Sequence, residues 1–306
     1  MLMLAAAERR EWCSSMLLSS AATPGPKHFS SRKIRTEITG RNVFFMCSII
    51  AYFFASGKSC AADELTFFCE CAILRSERKG GRGMELARLL QIQRGVTALI
   101  GSGGKTSTML ALTDELGRTA RVIVCTSTRI LPPEGLPLLM QADAARAPEV
   151  LGAHGVVCIG QAAEKGKLAA PEVSFAQLTQ WADYVIVEAD GSKRLPVKAH
   201  EPYEPVVPPE ANQTIALFGL SGLGKPIREA AHRAELYAKN LGVSPDTILT
   251  PQLAAAHLNL EALHTRVLLN QADIPGGREL ARAMAEELQT PVCMASLREE
   301  WAECLS

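Results

Sequence analysis

A chain of 306 residues, 47% apolar and 21% charged, has an ordinary globular composition and enough length for one large domain or two small ones. Its 32 Lys and Arg balance 32 Asp and Glu, so no global field draws it to nucleic acid or to an anionic membrane. Past Met84 there is no C-x-x-C pair and no H-x-x-x-H pair, which by spacing excludes a disulfide framework and a zinc site.

Residues 1–83 differ from the rest. They hold seven of the nine Phe, five of the nine Cys, and twelve Lys/Arg against seven Asp/Glu; the remainder carries twenty against twenty-five. Val43–Ala55 (VFFMCSIIAYFFA) is apolar like a signal-peptide core. It falls short of the roughly 20 residues that span a bilayer and begins far from the chain start. Lys79-Gly80-Gly81-Arg82-Gly83 before Met84 is what a translated purine-rich ribosome-binding site would look like. The expectation is a non-native or poorly structured extension over 1–83, a true start at Met84, and a cytoplasmic protein without stable membrane insertion.

From residue 84 to 306 the chain alternates short apolar runs with helical patterns. Strands are predicted at Val96–Ile100, Arg121–Thr126, Gly155–Ile159, Tyr184–Glu188, Ile215–Phe218, Val267–Leu269 and Pro291–Met294. Helices are predicted at Thr106–Leu116, Phe175–Trp181, Ile227–Leu241, Pro251–Leu258 and Arg278–Leu288. Continuous apolar strands between helices predict an α/β fold of the P-loop NTPase type, a mostly parallel sheet covered on both faces.

Gly101-Ser102-Gly103-Gly104-Lys105-Thr106-Ser107 follows the first strand and opens the first long helix. Glycines allow positive φ, so successive amides can converge on one anion, and the helix N-terminus reinforces them. Lys105 is expected at the β/γ-phosphates and the Thr106 hydroxyl on Mg²⁺. The loop is the short G-x-x-G-K-T form, as in Mur-type ligases, because Leu99 stands where the longer motif has its first Gly. Gly219–Pro226 (GLSGLGKP) fits the longer pattern but has Pro226 where the hydroxyl belongs, and is read as a loop.

Glu188 and Asp190 end an apolar strand, where P-loop proteins place carboxylates that hold Mg²⁺ or position a nucleophile. Lys193, Arg194 and Lys198 follow, either as a solvated loop or as cations for the group in transfer. Thr126-Ser127-Thr128-Arg129 ends the second strand, as a helix-capping cluster or as hydroxyls near the metal. Asn270-Gln271-Ala272-Asp273 resembles the guanine-reading N-K-x-D motif, with Gln271 in place of Lys; ATP and GTP both remain open, with GTP weakly favoured.

Taken in order, G-S-G-G-K-T, T-S-T-R, V-E-A-D-G-S-K-R-L-P-V-K-A-H with E-P-V-V-P, the G-K-P…H-R pair (Lys225, His232, Arg233) and L-L-N-Q-A-D resemble the selenium-dependent hydroxylase accessory proteins of the YqeC type. That resemblance spans roughly Met84 to the end. It implies a nucleotide-binding, NTP-hydrolysing accessory role in maturation of a selenium-dependent molybdenum hydroxylase, with that enzyme or its cofactor-maturation proteins as partners. It also favours Lys193, Arg194, Lys198 and Arg233 as site residues. The competing expectations are a small-molecule kinase or ATP-dependent ligase, and a non-hydrolysing nucleotide-gated binding module.

Overall fold

Glycines, prolines and hydroxyls punctuate the chain and set its element boundaries in the computed structural model, which describes residues 85–305. The apolar Val43–Ala55 run, Cys69-Glu70-Cys71 and the start at Met84 lie outside those residues. In chain order the elements are α1 Leu86–Leu89, β1 Gly95–Gly101, α2 Lys105–Leu116, β2 Val122–Thr126, β3 Arg129–Ile130, β4 Leu138–Met140, α3 Ala147–His154, β5 Val156–Ala162, β6 Leu168–Ala169, α4 Phe175–Trp181 and β7 Tyr184–Glu188. Then come β8 Val197–Lys198, β9 Ala211–Gly219, α5 Ile227–Ala230, β10 Ala231–His232, α6 Ala234–Leu241, α7 Pro251–Glu261, β11 Arg266–Asn270, α8 Gly277–Ala285, β12 Val292–Ser296 and β13 Trp301–Cys304. Ser174 and Thr250 cap α4 and α7 by accepting from Gln177 N and Leu253 N, while Gly155 and Gly242 close α3 and α6 in the left-handed conformation.

The main sheet runs β13-β12-β11-β9-β1-β7-β2-β5-β6-β3, with β4 also on β5. From β11 to β5 every pairing is parallel; β13 and the short β3 and β6 pair antiparallel. Alternate residues of the central strands face opposite layers. Leu99, Val124 and Ile186 meet Met109 and Leu112 of α2 and Leu86 and Leu90 at the amino end. Ile100, Phe218 and Leu269 meet Tyr237, Leu258 and Met284 from α6, α7 and α8, while Ile123, Val185 and Val187 meet Leu151 and Leu178 from α3 and α4. Each such fully buried side chain contributes about 1.5–3 kcal/mol of transfer free energy. Helices therefore cover both faces, and the sheet is mostly parallel, as the strand pattern predicts. Among the described residues no helix is long and apolar enough to cross a membrane.

Several expectations are corrected. The single helix predicted over Ile227–Leu241 is broken: Ala231 and His232 pair in parallel with Val197 and Lys198, and Arg233 turns left-handed at φ 64° before α6 begins. Helical propensity there loses to that two-stranded pairing, reinforced by the bond from Ala199 N to the His232 carbonyl. The last predicted helix ends at Ala285 rather than Leu288, α7 runs on to Glu261, and α3 and β13 are additional to the prediction.

Candidate phosphate-binding site

β1 lies between β7 and β9, with Leu99 opposite Glu188 and Gly101 opposite Leu217. That register brings the carboxyl ends of all three strands beside the Gly101–Thr106 turn. Gly101, Gly103 and Gly104 have φ of 83°, 90° and 126°. A Cβ on Gly103 would overlap the Gly219 backbone, and one on Gly104 would overlap the Asn270 amide, so only glycine lets the loop lie this close to its wall.

Within the turn, two amides are already committed: Gly101 N donates to Asp190 Oδ2 at 2.8 Å and Ser102 N to the Leu217 carbonyl at 2.9 Å. The helical ladder of α2 starts with Thr108 N on the Gly104 carbonyl, so the amides of Lys105, Thr106 and Ser107 have no intrahelical acceptor. No side chain caps this end and no acidic residue occupies its first turn. The helix N-terminus therefore keeps a partial positive charge with no cap from its own first turn.

Two pairs of side chains sit at this point. Thr106 Oγ1 donates to Glu188 Oε2 at 3.0 Å. Lys105, almost wholly buried, donates to the Gly101 carbonyl at 2.5 Å and pairs with Asp190 Oδ1 at 2.8 Å. Of the two carboxylates expected near the metal, Glu188 meets Thr106, while Asp190, 0% exposed, meets Lys105. The strand ends at Glu188, and by Asp190 the chain has turned behind the loop.

A charged chain continues inward from Asp190. His200 Nε2 lies 2.7 Å from Asp190 Oδ2 and His200 Nδ1 lies 2.8 Å from Glu261 Oε2 at the end of α7. Lys198 reaches Asp190 at 3.4 Å and Glu204 at 2.5 Å, and Arg233 grips Glu204 with both terminal nitrogens, at 2.5 and 3.0 Å. Burial opposes ionisation of Asp190, but the His200 hydrogen bond and the Lys105 and Lys198 ammoniums hold its carboxyl well below the usual range. Burial likewise opposes a charged His200, yet the two carboxylates on its nitrogens hold it above the usual histidine range. Burial raises Glu188 above the usual carboxylate range against the pull of Lys105 and Thr106. Burial also works against Glu204, which Arg233 and Lys198 nevertheless hold down at about 2.

Lys193 and Arg194 are exposed, and both are left-handed, at φ 48° and 63°. With Leu195 N on the Ser192 carbonyl they form the two central positions of a tight turn, each costing roughly 1–3 kcal/mol in a residue with a Cβ. This turn is tied to the phosphate loop: Ser192 Oγ lies 3.4 Å from Lys105 Nζ, Ser102 Oγ donates to the Leu195 carbonyl, and Gly219 N donates to the Pro196 carbonyl. Ser127 follows β2, where its amide donates to the Glu188 carbonyl at 3.2 Å; its hydroxyl is buried with no hydrogen-bond partner among the described residues. Thr126 donates to the same carbonyl at 2.8 Å.

Behind the loop, Asn270 Nδ2 donates to the Gly103 carbonyl at 2.7 Å and its Oδ1 accepts from Leu297 N at 3.3 Å. Asp273 accepts from Ser296 Oγ at 2.9 Å and pairs with Arg298 at 2.6 Å. Gln271 turns instead toward the Leu220–Gly222 turn, where its Oε1 accepts from Ser221 N. Gly219–Pro226 is therefore wall and loop, with Gly219 against Gly103. Among the described residues no group of three or more His, Cys, Asp or Glu is placed to hold a metal ion.

The sequence model of the YqeC protein family matches residues 97–235, which include most of β1, the glycine turn, Glu188, Asp190, Lys198, His200, Glu204 and Arg233. An uncharacterized protein YqeC of Escherichia coli strain K12 is 31% identical over 162 residues. Over these residues the chain is YqeC-like. The alignment covers 50% of this chain and 63% of that relative. Glu261, Asn270 and Asp273 fall outside the YqeC-matched segment. Among solved structures, the signal recognition particle receptor FtsY from Elizabethkingia anophelis in complex with GDP is 12% identical, covering 89% of this chain and 79% of its own. Its TM-score is 0.34, a likeness too loose to bear on the site.

His200, Glu204 and Glu261 are the site residues that sequence reasoning passes over. His200 and Glu204 lie in the quoted blocks, two and six residues after Lys198, a spacing that carries no motif. Glu261 has no local signal at all, because its contact with His200 spans 61 positions.

Proposed function

We propose that this protein binds a nucleoside triphosphate with Mg²⁺, hydrolyses it, and couples that turnover to maturation of a selenium-dependent molybdenum hydroxylase. The observation that carries the nucleotide reading is the uncapped amino end of α2, set at the strand edge beside the Thr106–Glu188 pair. Free amides from Gly103 to Ser107 would grip phosphate oxygens, and Lys105 would exchange the Gly101 carbonyl for them.

The residues present fit a magnesium ion. Thr106 and Glu188 offer a hydroxyl and one carboxylate, and Ser127 a buried hydroxyl without a hydrogen-bond partner among the described residues, which suits a metal that takes few protein ligands and completes its shell with phosphate and water. When bound, that ion supplies neutralising charge on the phosphates. Asp190 acts as a positioning residue, aligning Lys105 and the Gly101 amide from behind. Lys193 and Arg194, on their strained turn, stand ready to stabilise charge on the terminal phosphate. Asn270 and Asp273 would face the base side, and the accessory role rests on the family resemblance alone.

Calorimetric titration of the full chain with ATP and with GTP, with and without Mg²⁺, tests the reading. Lys105→Ala is expected to abolish binding of both; unchanged affinities would refute the assignment. Phosphate release that requires a small metabolite rather than a protein would transfer the turnover to a kinase or ligase.

A further inference from the structure

At one edge of the sheet, β12 and β13 run antiparallel with Cys293 directly opposite Cys304. Leu305 N donates to the Val292 carbonyl at 2.9 Å, one residue outside that pair on each strand. Cys293 and Cys304 are thus a non-hydrogen-bonded pair, the kind whose Cα atoms approach to about 4.5 Å. That separation lies inside the roughly 4.4–6.8 Å that a disulfide spans. Their sulfurs are 3.0 Å apart, and each thiol also lies 3.4 Å from the Leu89 carbonyl. Cys304 is exposed and Cys293 buried, so one thiol meets solvent and the other waits behind it.

We propose that Cys293 and Cys304 are a reversible thiol–disulfide pair, a modification site that clips the edge strand β13 to β12. The oxidant is a small-molecule disulfide such as glutathione disulfide. The Cys304 thiolate attacks one of its sulfurs, expels one glutathione thiolate and becomes a mixed disulfide. Cys293 then releases its proton, attacks the Cys304 sulfur and expels the second glutathione thiolate. Two protein thiols lose two electrons, and the oxidant takes both to become two thiols. Burial, with Cys304 alongside, pushes the Cys293 thiol up to about 12, so the second step is the slower and quickens as pH rises. The β12–β13 connection carries Leu297 and Arg298 onto Asn270 and Asp273, so the clip fixes the strands from which those contacts hang.

The test uses the full chain, equilibrated with oxidised glutathione and digested with trypsin. Cleavage after Arg298 separates the two cysteines, so the disulfide appears as two linked peptides whose mass lies two hydrogens below their sum. The linked species is expected in folded wild-type protein and is lost on reduction. Cys293→Ser should leave Cys304 glutathionylated, and Cys304→Ser should leave Cys293 unmodified. Oxidation should raise the wild-type melting midpoint by roughly 5 °C and leave both variants unmoved. The buried Cys125 and Cys158 serve as internal controls that stay reduced. The proposal is overturned if, at saturating oxidant, Cys304 ends as a mixed disulfide, pairs with any other cysteine, or remains free.

Discussion

Asp190→Asn preserves the side chain's size and removes only its charge. In the native protein the carboxylate is fully enclosed and faces Lys105 at 2.8 Å, His200 at 2.7 Å and Lys198 at 3.4 Å. The asparagine leaves those cations in a low-dielectric site with Glu188, Glu204 and Glu261 as their remaining counter-charges. Removing one partner of a buried ion pair costs about 3–5 kcal/mol. In a domain of this size each kcal/mol lowers the melting midpoint by about 2–4 °C, so a fall of roughly 6–20 °C is expected. The loss has a pH signature. Asp190 has a depressed pKa, so its stabilisation is present above the ordinary carboxylate value near 4 and is lost as pH falls through the depressed one. His200 has a raised pKa, so its stabilisation is complete below about 6.5 and fades as pH rises through the raised value. Wild type and variant should therefore differ most between about pH 4 and 6.5, and the variant's curve should be flatter on both sides. Scanning calorimetry of both proteins across this range is the assay. Coincident midpoints throughout would refute the buried-charge reasoning.

Gly103→Ala places a methyl group at φ 90° against the Gly219 backbone. It should destabilise by more than about 1 kcal/mol and erase any thermal shift on adding ATP or GTP, measured by melting with and without nucleotide. Glu188→Gln removes the carboxylate that meets Thr106. It should leave Mg²⁺-free nucleotide affinity nearly unchanged while abolishing the gain from Mg²⁺, and calorimetry in magnesium and in chelator would show an undiminished gain if the pairing is irrelevant.

The central sheet was legible because β1, β2, β7 and β11 are short Val/Ile/Leu runs between turn residues, a pattern that parallel burial on both faces demands. The glycine turn was legible because strand, glycines, Lys-Thr and helix must be contiguous to work. What escaped depends on contacts between distant segments. Ala231-His232-Arg233 sits among good helix formers, and only its pairing with Val197 and Lys198 and the grip of Arg233 on Glu204 break the helix. The division of labour between Glu188 and Asp190 is set by where β7 stops, which two carboxylates with one residue between them do not announce. β13 carries just four residues, too few for an alternation to stand out.

The tight approach of Gly103 to Gly219, with Asn270 fastened to the Gly103 carbonyl, has a bearing on biosynthesis. The motif is contiguous, yet its back wall arrives more than a hundred residues later. A ribosome-bound chain halted before β9 would possess the whole glycine signature and no rigid surface to shape it. Such non-local closure belongs to slow-forming topologies. Phosphate capture should thus emerge late and abruptly during translation, once β9 and β11 have left the exit tunnel.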